Sequence, residues 1–162
     1  MQQFLKSMKP SEKLKKYREG LGLNPHDLAK AAGISSAQYY DLEGFDDLEN
    51  AISLGHIAAL ASSLKIKTSA LFCDETPSEI ITPIALASDL NSFMARRKIA
   101  VSEAGNEIGW ALEGFVDDPN TAVLKWNVTC LRDVCSALGR SWLAVLNGID
   151  GALAKIPPDG QS

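Results

Sequence analysis

Cys73, Cys130 and Cys135, His26 and His56, and the serine pairs at 35–36 and 62–63 are the residues of this 162-residue chain that would suit metal binding or nucleophilic catalysis. Their spacing supports neither. Cys130 and Cys135 form a C-x4-C pair that falls on different sides of a helix, and with the two histidines they assemble no zinc pattern. The cysteines read as buried small hydrophobes. Neither serine pair has a histidine beside it, no glycine-rich phosphate loop follows a strand, and the carboxylates occur as runs without paired spacing. An enzyme is therefore not expected, nor a cofactor, nor a metal. The chemistry left to the chain is recognition by hydrogen bonds, charge and apolar contact.

The stretch AKAAGISSAQYYDLEG at 29–44 is where recognition residues concentrate. Gly33 tolerates the left-handed backbone that ends one helix, Ile34 plugs the space between two helices, and Ser35 caps the next. This is the layout of a helix-turn-helix, so a DNA reader is the first expectation. Charge is divided unevenly around it. Residues 1–30 carry Lys6, Lys9, Lys13, Lys15, Lys16, Arg18 and Lys30 against three acids, a local +4, whereas residues 31–50 carry Asp41, Glu43, Asp46, Asp47 and Glu49 with no base, a local −5. The whole chain is at −4, and the sign flips where a helix-turn-helix would approach phosphates.

Helical periodicity supplies the frame for these residues, and no alternating strand pattern of any length occurs. Ser11 starts a helix through Gly20 with Leu14 and Tyr17 inward. Asn24-Pro25-His26-Asp27 starts a second with an N-cap, a proline at the first helical position and an acid in the first turn. A third runs from Ser35 to Glu43, a fourth from Leu48 or Glu49 to Leu64, and a short turn from Thr68 or Ser69 to Phe72. The stretch DETPSEIITP at 74–83 reads as a stiff connection. The expected organisation is all-α: a five-helix domain at 1–76, a linker at 77–83, a second helical domain at 84–148 and a loose tail at 149–162.

Residues 13–72 resemble the Cro/lambda-repressor (XRE-type) family of helix-turn-helix domains, through Leu14, Arg18, Leu23, Leu28, Ala29, Gly33, Ile34, Ser35, Leu42 and Glu43 in that order and spacing. The resemblance implies a structural ion pair between Arg18 and Glu43 that clamps the third helix to the bundle. It also implies that the second helix turns its amino end, with Asn24, to a phosphate, and that the third lies in the major groove. Carried onto this chain, the base-facing positions are Ser36, Ala37 and Asp41, flanked by Ser35, Gln38 and Tyr40. These are unusual choices, since no Arg or Lys is present for guanine, only Gln38 suits adenine, and Asp41 repels phosphate. Pro25 stands where relatives place a backbone-contacting glutamine, and Phe45-Asp46-Asp47 occupies a loop that in relatives is basic or small. Tyr40 suits a protein contact as well as a DNA contact.

The second half repeats part of the plan. Leu90, Phe93 and Gly109 fall 76 residues after Leu14, Tyr17 and Gly33, and Leu138 and the LAVL at 143–146 fall 74 after Leu64 and the SALF at 69–72. A diverged duplicate is expected, with helices at 84–97, 101–108, 121–138 and 141–147 and no comfortable third helix in WALEGFVDDP. Trp110, Trp126 and Trp142 read as pins of a small core or as part of a dimer surface, and Arg96-Arg97-Lys98 as a solvated helix end. The expected protein is cytoplasmic, without a membrane segment. It acts as a homodimer joined through its second half. Its function is either that of a sequence-specific regulator binding double-stranded DNA, or that of an antitoxin-like or adaptor module that keeps the fold for a protein partner.

Overall fold

The computed structural model describes residues 8–154. Among them there are eleven α-helices and two 3-10 turns, and no strand. The first half contains α1 (Pro10–Gly20), α2 (Pro25–Ala32), α3 (Ser36–Gly44), α4 (Leu48–Ala51), α5 (Leu54–Ser63) and a 3-10 turn at Thr68–Leu71. The second contains α6 (Pro83–Arg97), α7 (Val101–Ile108), α8 (Glu113–Asp117), α9 (Pro119–Ala122), a 3-10 turn at Val123–Lys125, α10 (Val128–Leu138) and α11 (Trp142–Leu153). No described helix is long and apolar enough to cross a membrane.

Local chemistry sets most of the boundaries. Asn24, Ser35, Ser53, Thr82, Asn127 and Ser141 each accept a backbone N–H two or three residues into the helix they precede. Three helices, α2, α7 and α10, stop at a left-handed glycine: Gly33, Gly109 and Gly139. The offsets read from the side chains recur in the backbone. The positive-φ residues are Gly22 and Lys98, Gly33 and Gly109, 76 apart, and Lys65 and Gly139, 74 apart. In two of these pairs a lysine holds a conformation that costs an L-residue about 1 kcal/mol and that glycine fills freely in the other half.

Three expectations are corrected, and the stiff connection between the halves is seen to be held by α11. The helix drawn from 48 to 64 is two helices, because Ile52 is extended, Ser53 caps α5, and the Leu54 N–H leaves the helical ladder to donate to the Trp126 carbonyl at 2.7 Å. The helix drawn from 121 to 138 is broken at the equivalent place, where Trp126 is extended and Asn127 caps α10. The loose tail drawn from 149 begins instead as the last turn of α11, with Ile149 buried; residues 155–162 lie outside the described chain. The connection at 77–83 is held at both ends, since Asn147 Nδ2 donates to the Pro77 and Glu79 carbonyls at 2.8 and 2.9 Å and the Ile81 N–H donates to Ala144 O at 3.0 Å.

The two halves share one apolar core, running from Leu14, Tyr39 and Ile57 to Leu90, Phe115 and Leu131. Their contacts are reciprocal. The α4 helix packs on α10, and the Val123–Lys125 turn, which corresponds to α4, packs on α5, which corresponds to α10. The Thr68–Leu71 turn meets α11, its own counterpart. That exchange is the pattern of a two-fold dimer interface, here closed within one chain. Trp126 and Trp142, read from sequence as pins of a small core or as part of a dimer surface, are partly buried: Trp126 lies 4.6 Å from the Phe115 ring and Trp142 5.4 Å from Phe72 of the first half.

A Cβ on Gly148 would lie 1.9 Å from the Ile81 carbonyl oxygen, whereas one on Gly151, a turn further along α11, would meet nothing within 4 Å. Gly148→Ala should therefore lower stability by about 3 kcal/mol through forced backbone displacement, and Gly151→Ala should leave it unchanged or raise it by up to about 1 kcal/mol. Urea unfolding followed by circular dichroism and by tryptophan fluorescence should give coincident single transitions for both variants, since a shared core leaves neither half to unfold alone.

Candidate functional site

The face built by α2 and α3 gathers the residues singled out for recognition. Asn24 caps α2 by accepting the Asp27 N–H at 2.8 Å, and its Nδ2 donates to Asp27 Oδ2 at 3.0 Å. Asp27 thus sits in the first turn, where the helix dipole favours negative charge. The amino end of α2, the expected phosphate seat, already carries a carboxylate of its own, and Pro25 offers it no N–H.

Ser35 and Gln38 close a capping box: Ser35 Oγ accepts the Gln38 N–H at 3.1 Å, and the Ser35 N–H donates to Gln38 Oε1 at 2.9 Å. A two-pronged contact to adenine needs both Oε1 and Nε2, and the box occupies Oε1. Gln38 is thereby a helix-starting residue, and the S-x-x-Q spacing carried that signal. Ser36 is also engaged, its Oγ lying 2.7 Å from Nδ1 of His26. This contact ties the start of α3 to the start of α2. His26 joins the site without a signal in the sequence, because the pairing spans ten positions and no motif links them.

What α3 presents outward is therefore Ala37, Tyr40 and Asp41, all exposed, with Tyr40 at 58% and Phe45 just beyond the helix at 68%. Asp46 and Asp47 complete the rim, Asp47 accepting from Asn50 Nδ2 at 3.1 Å. No lysine or arginine lies on α3. Of the basic residues upstream, Lys13 is withdrawn, its buried side chain paired with Asp74 at 2.7 Å. Lys15, Lys16 and Lys30 stay exposed.

Behind this face the structure brings Arg18 and Glu43 together. Arg18 Nε donates to Glu43 Oε2 at 2.6 Å and Nη2 to Oε1 at 3.1 Å, while Nη1 donates to the Leu23 carbonyl at 3.0 Å. The two side chains are 13% and 11% exposed. Tyr39, read from sequence as plain core, has a fully buried ring whose hydroxyl donates to the same carboxylate. Burial by itself drives the Glu43 pKa up, but the Arg18 fork and the Tyr39 hydroxyl outweigh it and hold the carboxyl below its usual range. Burial and then the bond to Glu43 push the Tyr39 phenol far above its ordinary value, and the Glu43 hydrogen bonds raise Arg18. The unit fixes α3 to α1 and to the turn before α2.

Among the described residues no group of three His, Cys, Asp or Glu side chains is placed to hold a metal ion. Burial pushes the Cys130 and Cys135 thiols up to about 12, which leaves both as unreactive core residues at neutral pH. No family model matches the chain, and neither the curated proteins nor the solved structures contain a match to it.

Arg18→Met and Glu43→Gln should each cost about 3–5 kcal/mol, since either leaves a buried charge or its hydrogen-bonding partners unmatched, and the double variant should cost clearly less than the sum. The pH dependence follows from the lowered Glu43 pKa. Its stabilisation is complete above the ordinary carboxylate value of 4.5 and is lost as pH falls through the lower folded value. Urea midpoints measured from pH 7 down to pH 3 should fall for the parent chain, and the component due to Glu43 should be missing from Glu43→Gln.

Proposed function

We propose that this chain is a regulator built on a helix-turn-helix scaffold that works on a protein partner, engaging a positively charged segment with the face formed by α2 and α3. The observation that carries this reading is the composition of the exposed α3 surface: Tyr40 and Phe45 project among Asp41, Asp46 and Asp47, with no cation on the helix. Exposed aromatics beside like charges suit a partner with apolar and basic side chains. Binding to a nucleic-acid backbone draws its affinity from cations that displace counterions, and this surface has none to offer on α3.

The second half supports the same reading. The matched helix ends, caps and positive-φ positions favour a duplication in which the later copy has lost its recognition helix, α8 being five residues ended by Asp118-Pro119. Acids recur at equivalent places, Asp27 with Glu103 and Asp41 with Asp117, each pair 76 apart and exposed. The reciprocal packing of the halves lets one chain supply the pairing that a homodimer would otherwise provide. A 17.4 kDa monomer is therefore the expected species in solution.

DNA reading is the second possibility, favoured by one observation: the Gly33 turn and the Arg18–Glu43 clamp hold α3 in the place where a reader needs it. One titration separates the two. Binding of a 20-base-pair duplex and of an amphipathic Lys/Leu peptide is measured by anisotropy from about 50 to 200 mM salt. Saturable peptide binding that weakens about tenfold in Tyr40→Ala/Phe45→Ala, with no saturable duplex binding, is expected. Duplex binding with a log K against log salt slope steeper than about −3 would overturn the protein-partner reading. A light-scattering mass near twice that of the chain would overturn the monomer.

A further inference from the structure

A cleft of about 410 Å³ opens on the seam between the two halves. Ile52 and Ser53 line it from the first half, and Trp126 and Asn127 from the second. These are the equivalent chain breaks of the two copies, 74 residues apart, joined by the hydrogen bond from the Leu54 N–H to Trp126 O. Trp110 closes one side. Its indole Nε1–H donates to Asp133 at 2.9 Å, and the close approach of Gly105, where a Cβ would lie 2.6 Å from the Trp110 carbonyl, fixes its backbone. Trp126 is held against Phe115 at 4.6 Å. Two of the three tryptophans in the chain thus border one opening with settled positions, which core packing alone does not require.

Of the polar side chains at this opening, Asn50 is engaged by Asp47 and Thr129 and Ser53 by His56, and the two left over, Lys125 and Asn127, offer donors. Lys125 lines it and makes no ion pair with any described residue. Asn127 spends its Oδ1 on the Cys130 N–H at 2.8 Å, which leaves its Nδ2 without a partner in the described chain. No aspartate or glutamate lines the cleft, in a chain that carries a net charge of −4. Trp110 and Trp126 in the lining, a lone ammonium and a free amide N–H form a complementary set for a flat apolar body ending in an anion.

We infer that this seam is a binding site for a small planar carboxylate, with Trp110 and Trp126 against the ring system and Lys125 on the carboxylate. A ligand there touches both copies and the turn between α7 and α8, so it joins the halves at the point where their backbones already meet.

Three indole N–H signals in a nitrogen–proton correlation spectrum give the test its spatial resolution, with 2-naphthoate, uncharged 2-naphthamide and acetate as probes. Saturable shifts of the Trp126 and Trp110 signals with 2-naphthoate are expected, with Trp142, which packs on Phe72 elsewhere, unmoved. Naphthamide and acetate should bind much more weakly, and Lys125→Gln should weaken naphthoate about fivefold while leaving the spectrum folded. Shifts spread equally over all three indoles, no saturation below about 1 mM, or equal binding of the amide would each overturn the site. Should Lys125→Gln fail to fold, the comparison of naphthoate with naphthamide on the parent chain decides the role of charge by itself.

Discussion

Asn147 is the residue through which the two halves and their connection become one body. Its Oδ1 accepts from Ser69 Oγ at 3.0 Å, and its Nδ2 gives one hydrogen to the Pro77 carbonyl and the other to that of Glu79. A buried amide leaves little room for compromise, because each unmatched group costs about 1–3 kcal/mol in desolvation. One turn later Asp150 accepts from the Thr68 N–H at 2.9 Å and from its hydroxyl at 2.6 Å, so α11 caps the start of the first half's last turn with its own side chain. Thr68 and Ser69 have no exposed surface. Around this polar knot the apolar contacts of α11 with the Thr68–Leu71 turn exclude water, and the segment at 77–83 has to follow the path that Asn147 dictates.

With the halves joined in this way, apolar surface of both is buried in one core. Arg132 pairs with Glu49 at 2.8 Å and Thr129 donates to Asn50, adding polar contacts at the rim where α10 meets α4. These exposed pairs contribute little energy, but they fix the register of the packing. The result is a single core with a nine-residue α3 in the first half and, at the corresponding place in the second, the five-residue α8.

The same economy explains why the recognition surface looks as it does. Two side chains that a nucleic-acid reader would point outward are used inward or sideways here: Gln38 starts its own helix and Ser36 meets His26. What remains facing solvent is aromatic and acidic. A rigid clamp behind α3 is thus combined with an aromatic and acidic surface in front of it.

Helix starts and stops were legible in the sequence because caps and left-handed glycines act over three or four residues; Asn24, Gly33 and Ser35 announced themselves, and so did the 76- and 74-residue offsets. The capping role of Gln38 was legible too, in its spacing from Ser35, although its chemistry suggested another task. Apart from the Arg18–Glu43 pair, which the family resemblance implied, what distant partners fix was hidden from a one-dimensional reading. Helical periodicity runs unbroken through Ile52, Ile57, Leu60 and Leu64, and only the demand of the Trp126 carbonyl for the Leu54 N–H makes the break intelligible. The turn-rich composition after Asn147 read as a tail, yet Gly148 is there because the Ile81 backbone passes where a side chain would stand. Which apolar faces meet was likewise open, since burial of the tryptophans is equally favourable against a second molecule or against the other half. Within the chain the tertiary structure sets Trp142 against Phe72 of the first half and Trp126 against Phe115 of its own, around the hydrogen bonds of Asn147 and Asp150 that tie α11 to the Thr68–Leu71 turn.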